Sequence, residues 1–145
     1  MTLGAFPRDA FLMRRVAGPD DIDRFNHVNN ARYIGWANEI AWAHSNALGL
    51  SFDEYERLGA GCVVWRHEFD YRAPVLLGDE IDIATWIAEN DFRLRLVRAY
   101  QMWNAASGVE VFRGRTTFVS VDMKTGKPTR MPKEFISAYR PAQGD

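Results

Sequence analysis

The chain has 145 residues, 47% hydrophobic and 26% charged, with a formal net charge of −1. That length and balance describe one globular domain, residues 1–145, with enough chain for a proper core. The near-zero charge supplies no basic field for nucleic acid, and the single cysteine, Cys62, excludes an intrachain disulfide and any multi-cysteine metal site.

No apolar run approaches membrane length and the N-terminus lacks a secretory pattern, so the default expectation is a cytoplasmic protein with no membrane partner. Residues 11–16 form a short β-type run, closed by the breakers Gly18, Pro19 and Asp20. A polar loop follows, Asp21-Ile22-Asp23-Arg24-Phe25-Asn26-His27-Val28-Asn29, and feeds directly into an apolar helical pattern over residues 30–48. Asn is a good N-cap, and both Asn29 and Asn30 stand at the entry. One apolar stripe holds Ile34, Ala37, Ala41 and Leu48, and beside it runs a second of Tyr33, Trp36, Ile40, Ala43 and Ala47. The narrower polar stripe includes Asn38 and Glu39. At 1.5 Å per residue the rod is about 28 Å long, a central helix for the rest to wrap.

Ser51 with Glu54 opens a short helix to Leu58. From Cys62 the period changes to two, with Val63, Trp65, His67, Phe69 and Tyr71 pointing one way until Pro74 stops the strand. Ile81, Ile83, Thr85 and Ile87 alternate along the next strand, and Asn90-Asp91 reads as a hairpin turn. Phe92, Leu94, Leu96, Tyr100 and Met102 mark one face of the following strand, whose arginines read as a solvated face. Residues 109–122 form a last strand and residues 132–139 a helical tail. Strands kept apart from helices imply an α+β layer fold, here four long strands in an antiparallel meander curved around the buried helix. Long free edges invite a second copy of the chain, so a homodimer is expected.

The chemistry of interest lies where loop meets helix. Backbone N–H groups in a helix's first turn lack helical acceptors and carry partial positive charge. A carbonyl or anion placed there meets ready-made donors. Asp23 and His27 lie within one short loop of that end. On spacing alone Asp23 is more simply a loop aspartate making turn or capping bonds.

These residues resemble the hotdog-fold thioesterases of the 4-hydroxybenzoyl-CoA thioesterase type. The resemblance rests on Asp21-Ile22-Asp23 through His27-Val28-Asn29-Asn30 to Tyr33 and Trp36, and on Tyr71-Arg72-Ala73-Pro74-Val75-Leu76-Leu77-Gly78-Asp79; it covers residues 16–122. It implies a hotdog fold, assembly as homodimer or homotetramer with the active site at the subunit interface, and hydrolysis of an acyl-CoA to a free acid and CoA. The family's catalytic aspartate, nucleophile or base, falls on Asp23, and its backbone oxyanion donor on Asn30. Many relatives carry Gly before the histidine; here Asn26 stands, a residue that tolerates left-handed backbone angles. The basic cluster that holds CoA phosphates in some members falls on the weakly basic Asn90-Asp91-Phe92-Arg93, with Arg95, Arg98, Arg113 and Arg115 as substitutes. The carrier, CoA or acyl carrier protein, is left open by that departure.

Under the resemblance the catalytic set is Asp23, His27 and Asn30, with Asn29, Tyr33, Trp36 and Glu39 toward the substrate. Each has a plainer reading: His27 fastens the loop, Asn29 and Asn30 cap and turn, Tyr33 and Trp36 are core, and Glu39 is a polar-stripe carboxylate rather than a positioner of water. No known metal-ligand pattern is present, and no cofactor is expected beyond CoA as part of the substrate. Two other functions stand beside hydrolysis. A hotdog hydratase would put histidine in the leading role, and an acyl-binding module would keep the pocket without turnover.

Overall fold

The computed structural model describes residues 6–143. Residues 1–5, on which part of the N-terminal expectation falls, and residues 144–145 lie outside the described residues. Strand β1 (Phe11–Val16) leads through the polar loop to helix α1 (Asn30–Ala47) and a short helix α2 (Phe52–Leu58). Four long strands follow, β2 (Ala60–Tyr71), β3 (Glu80–Asn90), β4 (Arg95–Asn104) and β5 (Glu110–Asp122), and α3 (Lys133–Ala138) closes the described chain.

Helix α1 begins where expected because Asn29 sits in extended geometry and its side chain accepts the Ala31 N–H at 2.9 Å. Its buried residues are Tyr33, Trp36, Ala37, Ile40, Ala41 and Ser45. Ile34 and Leu48, on the first apolar stripe, are exposed instead. The aromatic stripe wins the core because Tyr and Trp remove the largest apolar area from water. The α2 helix has its expected frame: Ser51 accepts the Glu54 N–H, and Gly59 at φ 71° ends it.

All five strands form one antiparallel sheet in the order β1-β3-β4-β5-β2. The expected meander is therefore corrected: β2 does not pair with β3 but lies beside β5, along the register Ala60↔Asp122 to Tyr71↔Phe112. The connection over residues 72–79 is too long for a tight hairpin and is held elsewhere. Val75 C=O accepts the Val28 N–H at 2.8 Å, tying it to the loop before α1, and Gly78 N–H donates to Ala17 C=O at 2.9 Å.

The simple alternation of β2 is also corrected. The register against β5 shifts between Val64 and Arg66, leaving Trp65 as an extra residue. Val64 opposite Phe118 thus shares the inner face with His67, Phe69 and Tyr71, whereas Trp65 is 67% exposed. In β4 the inward face runs through Leu96, Arg98, Tyr100 and Met102, all buried. The expectation that the arginines of this strand form a solvated face holds for Arg95, and for Arg93, which the structure places in the turn before β4; both are exposed, and it fails for Arg98.

The core has two parts. One packs Tyr33, Trp36 and Ile40 of α1 against Ile81, Ile83, Met102 and Phe112 of the sheet. The other joins Tyr55, Leu96, Phe135 and Tyr139. Buried polar side chains lie between them, Ser45, Thr85, Arg98 and Thr116. Gly114 is required by packing, since a Cβ there would stand 2.4 Å from the Phe69 ring. No helix among the described residues is long and apolar enough to cross a membrane.

Candidate active site

The loop before α1 is shaped by its own backbone. Asp23 N–H donates to His27 C=O at 3.1 Å, Asn26 N–H to Asp23 C=O at 3.0 Å, and Ile22 bridges Val28. Asn26 adopts φ 66°, the left-handed conformation that Asn reaches more readily than most residues. Asp21 holds the loop base: its carboxylate accepts the Gly18 N–H at 2.9 Å and lies 3.6 Å from the Arg32 guanidinium.

The Asp23 carboxylate is half-buried and turned toward the helix cap. Its Oδ1 accepts the Phe25 N–H at 2.8 Å, and its Oδ2 accepts from Asn29 Nδ2 at 3.3 Å. The other end of that amide, Asn29 Oδ1, caps Ala31. One side chain therefore ties the carboxylate to the first turn of α1. In that turn Ala31 N–H is taken by Asn29 Oδ1 and Arg32 N–H by Asn29 C=O, while the Asn30 N–H has no protein acceptor among the described residues. Asn29→Ala is expected to cost about 1 kcal/mol through the lost cap, read as a lower midpoint in thermal unfolding.

Beside this helix start is a cleft of about 300 Å³ lined by His27, Asn30, Tyr33, Tyr71, Arg72 and Pro74 among others. Tyr71 OH donates to Asn30 C=O at 3.3 Å and packs edge-on against Tyr33. Burial, and then the neighbouring Tyr71, push the Tyr33 phenol up to about 12, so it stays neutral. His27 faces the cleft and its ring stacks on Phe25.

The structure thus brings Asp23, His27, Asn29, Asn30 and Tyr33 to one end of α1, although Asp23 is not itself in the cleft lining. It does not bring Trp36 or Glu39 there. Trp36 is 3% exposed within the core, and Glu39 is ion-paired to Arg15 of β1 at 3.0 Å. Tyr71 and Arg72 were not singled out from the sequence as site residues, because period-two alternation reads them as ordinary strand positions. Their signal lay in the Tyr71-to-Asp79 stretch, which folds back under the loop. Among the described residues no three His, Cys, Asp or Glu side chains are grouped as metal ligands.

With this geometry in view, known proteins show where the chain belongs. Its residues 17–139 match the thioesterase-like superfamily. It is 25% identical over 116 residues to a Bacillus subtilis protein named "Putative acyl-CoA thioesterase YneP", covering 79% of this chain and 82% of that one. The crystal structure of a 1,4-dihydroxy-2-naphthoyl-CoA thioesterase from Synechocystis superposes with a TM-score of 0.80 at 19% identity, over 90% of this chain and 95% of that one. A Staphylococcus aureus protein solved in complex with CoA, SAV2348, superposes at 0.84 with 18% identity, over 98% and 92%. The sheet wrapped on one long helix is the hotdog fold of these structures. With most of its length matched and its helix-capping loop in place, the chain belongs to the thioesterase-like superfamily of thioester hydrolases.

Proposed function

We propose that the protein hydrolyses an acyl-CoA to a free carboxylic acid and CoA at the head of α1, with Asp23 as nucleophile or general base and the Asn30 N–H as oxyanion donor. The observation that carries this reading is the link between the two: Asn29 joins the Asp23 carboxylate to the helix start whose next N–H is without a protein acceptor. As the thioester carbon is attacked, negative charge grows on its oxygen. A preorganised N–H backed by the helix dipole stabilises that charge, and one such donor is worth about 3 kcal/mol. Asp23 either attacks the carbon, forming an anhydride that water opens, or takes a proton from the attacking water. CoA leaves as the thiolate and takes up the proton given up by the water consumed. His27 and Tyr33 flank the substrate in the cleft, and Asn29 holds the carboxylate. The chemistry draws on no metal or further cofactor.

The relatives named for acyl-CoA and naphthoyl-CoA hydrolysis support a CoA ester over an acyl carrier protein ester. The free thiol of Cys62 suits a reducing cytoplasmic setting. Release of thiol from some member of a panel of short, long and aromatic acyl-CoAs is expected. Binding without release at every length would leave an acyl-binding module. Hydration of an enoyl-CoA without thiol release would leave a hydratase.

The same proposal includes a homodimer, paired through β2. The two sheet edges differ. β1 has six residues, and its Arg14 and Arg15 are engaged in ion pairs with Glu80, Asp82 and Glu39, a protected edge. β2 has twelve residues and exposes Val63, Val64 and Trp65. Trp65→Lys is expected to weaken self-association by roughly tenfold or more, since a central interface Trp is commonly worth ~2 kcal/mol. Light scattering across a dilution series reads this, and an unaltered dimer would reject the β2 edge.

A further inference from the structure

A second cavity, not used by the chemistry above, lies between α1 and the sheet's inner face. It measures about 110 Å³, with Arg98 in its lining and, at its rim, Asn38, exposed, and Val64, which lies on the β2 edge proposed above to pair with a second copy. Arg98 is 2% exposed, and no carboxylate pairs with it among the described residues. Its guanidinium donates through Nη1 to His44 Nδ1 at 2.8 Å and Thr85 Oγ1 at 3.3 Å, and through Nη2 to Ser45 Oγ at 3.4 Å. These are three neutral acceptors for a group with five N–H donors, one that does not give up its charge in proteins.

The surroundings supply no counter-charge. Burial, then the Arg98 charge, push His44 down to about 4, so the ring is neutral and Nδ1 accepts. Burial pushes the hydroxyls of Tyr55 and Tyr139 up, and the Cys62 thiol up to about 12. Asp9 reaches His44 by its field but is itself exposed and makes no bond to Arg98. A buried cation that has neutral acceptors but no counter-charge is costly to keep out of water. A ligand that brings one negative charge offsets that cost.

We propose that this cavity binds a carboxylate on a short apolar stem, the carboxylate pairing with Arg98 and the stem lying against the rings of Trp42, Tyr55 and Phe118. A planar carboxylate matches the guanidinium fork, and its single charge matches the single cation. A cavity of ~150 Å³ holds benzene, so this one, open at its rim, takes the carboxylate and a stem of about three carbons. The Tyr139 hydroxyl, bonded to Ser45 Oγ at 2.8 Å and to Tyr55, lines the same space as a further polar contact.

Two molecules present this chemistry: a free short-chain acid, and the far end of an acyl group that carries a second carboxylate. The second source rests on the thioesterase proposal; the first does not. Asn38 lies eight residues beyond Asn30 on α1, about 12 Å along the axis, so within one protomer a long acyl chain is needed to reach the rim from the helix head.

Sodium butyrate is titrated into the full chain by calorimetry, with butyramide as its uncharged match. Butyrate is expected to bind by roughly tenfold or more over butyramide, the scale of one charge-assisted bond. Arg98→Met is expected to abolish that binding, and Asp23→Asn to retain it. Replacing a buried ion with an apolar side chain is often tolerated, and cooperative thermal unfolding checks the variant. If it does not fold, Ala41→Leu, which fills the cavity from α1, takes its place with the same expectation. For the acyl source, kcat/KM for dodecanedioyl-CoA is expected to exceed that for dodecanoyl-CoA by roughly tenfold, with the preference lost in Arg98→Met. Either readout alone supports the site and assigns its source. Failure of both, or butyrate binding that survives Arg98→Met, overturns it. An absence of thiol release from every acyl-CoA would count against the thioesterase proposal and leaves the butyrate readout to decide this one.

Discussion

Asp23→Asn is expected to lower kcat for thiol release by roughly 10²–10⁴-fold while KM stays nearly constant. The carboxamide has the shape of the carboxylate but neither attacks a thioester nor takes a proton from water. Its oxygen still accepts the Phe25 N–H that Asp23 Oδ1 takes at 2.8 Å, so the loop keeps its turn, while the new NH2 cannot accept from Asn29 Nδ2 as Asp23 Oδ2 does at 3.3 Å, a small cost read in the unfolding midpoint. The residual rate would come from the Asn30 N–H and the helix dipole, which the substitution leaves in place. Asp21→Asn provides the contrast. That carboxylate serves Gly18 and Arg32 at the loop's base, so its loss should appear in stability before it appears in kcat. Steady-state thiol release with both variants separates the two aspartates. An Asp23→Asn enzyme as fast as the wild type would remove this carboxylate from the reaction.

What the sequence made legible followed from local rules. Asn29 capping Ala31 and the apolar spacing beyond it located α1 to within a residue at either end. Ser51, Glu54 and Gly59 framed α2, and strand alternation located the four long strands, although β4 starts at Arg95 rather than at Phe92, which turns in the left-handed conformation. The left-handed turn at Asn26 was readable from the resemblance, whose relatives carry Gly there, together with the tolerance of Asn for that conformation. What was not legible depends on partners distant in the chain. No local signal says that β2 pairs with β5 across a crossover rather than with β3 through a hairpin. The extra residue at Trp65 is invisible to a period-two reading, because a bulge is set by the partner strand's register. Arg98 shows the cost of reading charge as exposure. Its inward position follows from Leu96 and Tyr100 on either side, and composition favoured the opposite face. At the candidate site, Asp23, His27 and Asn30 came from the family resemblance of the loop rather than from spacing, whereas Tyr71 reaches Asn30 only because the connection after β2 folds beneath the loop.

Phe112→Ala is expected to be the most destabilising single truncation near the site, costing about 3–5 kcal/mol. Phe112 is fully buried on β5 and is the ring on which the helix head rests. It stacks on Tyr33 with centroids 5.5 Å apart and planes 9° from parallel, and contacts Phe69 at 5.0 Å and Tyr71 at 5.5 Å. Removing it takes away buried apolar area and leaves a void that these three rings cannot close without leaving their own contacts. For a chain of this size the loss corresponds to a midpoint lower by about 10 °C or more in thermal unfolding. Phe112→Leu, which keeps most of the volume, should lose far less. The functional consequence follows from what the ring supports. Tyr33 and Tyr71 line the cleft, and Tyr71 holds Asn30 C=O, while Asp23 is anchored separately through Phe25 and Asn29. Assayed well below its midpoint, Phe112→Ala should therefore raise KM and spare kcat, the reverse of Asp23→Asn. A folded Phe112→Ala protein that loses kcat at unchanged KM would show instead that the carboxylate and the helix donor depend on this ring for their alignment.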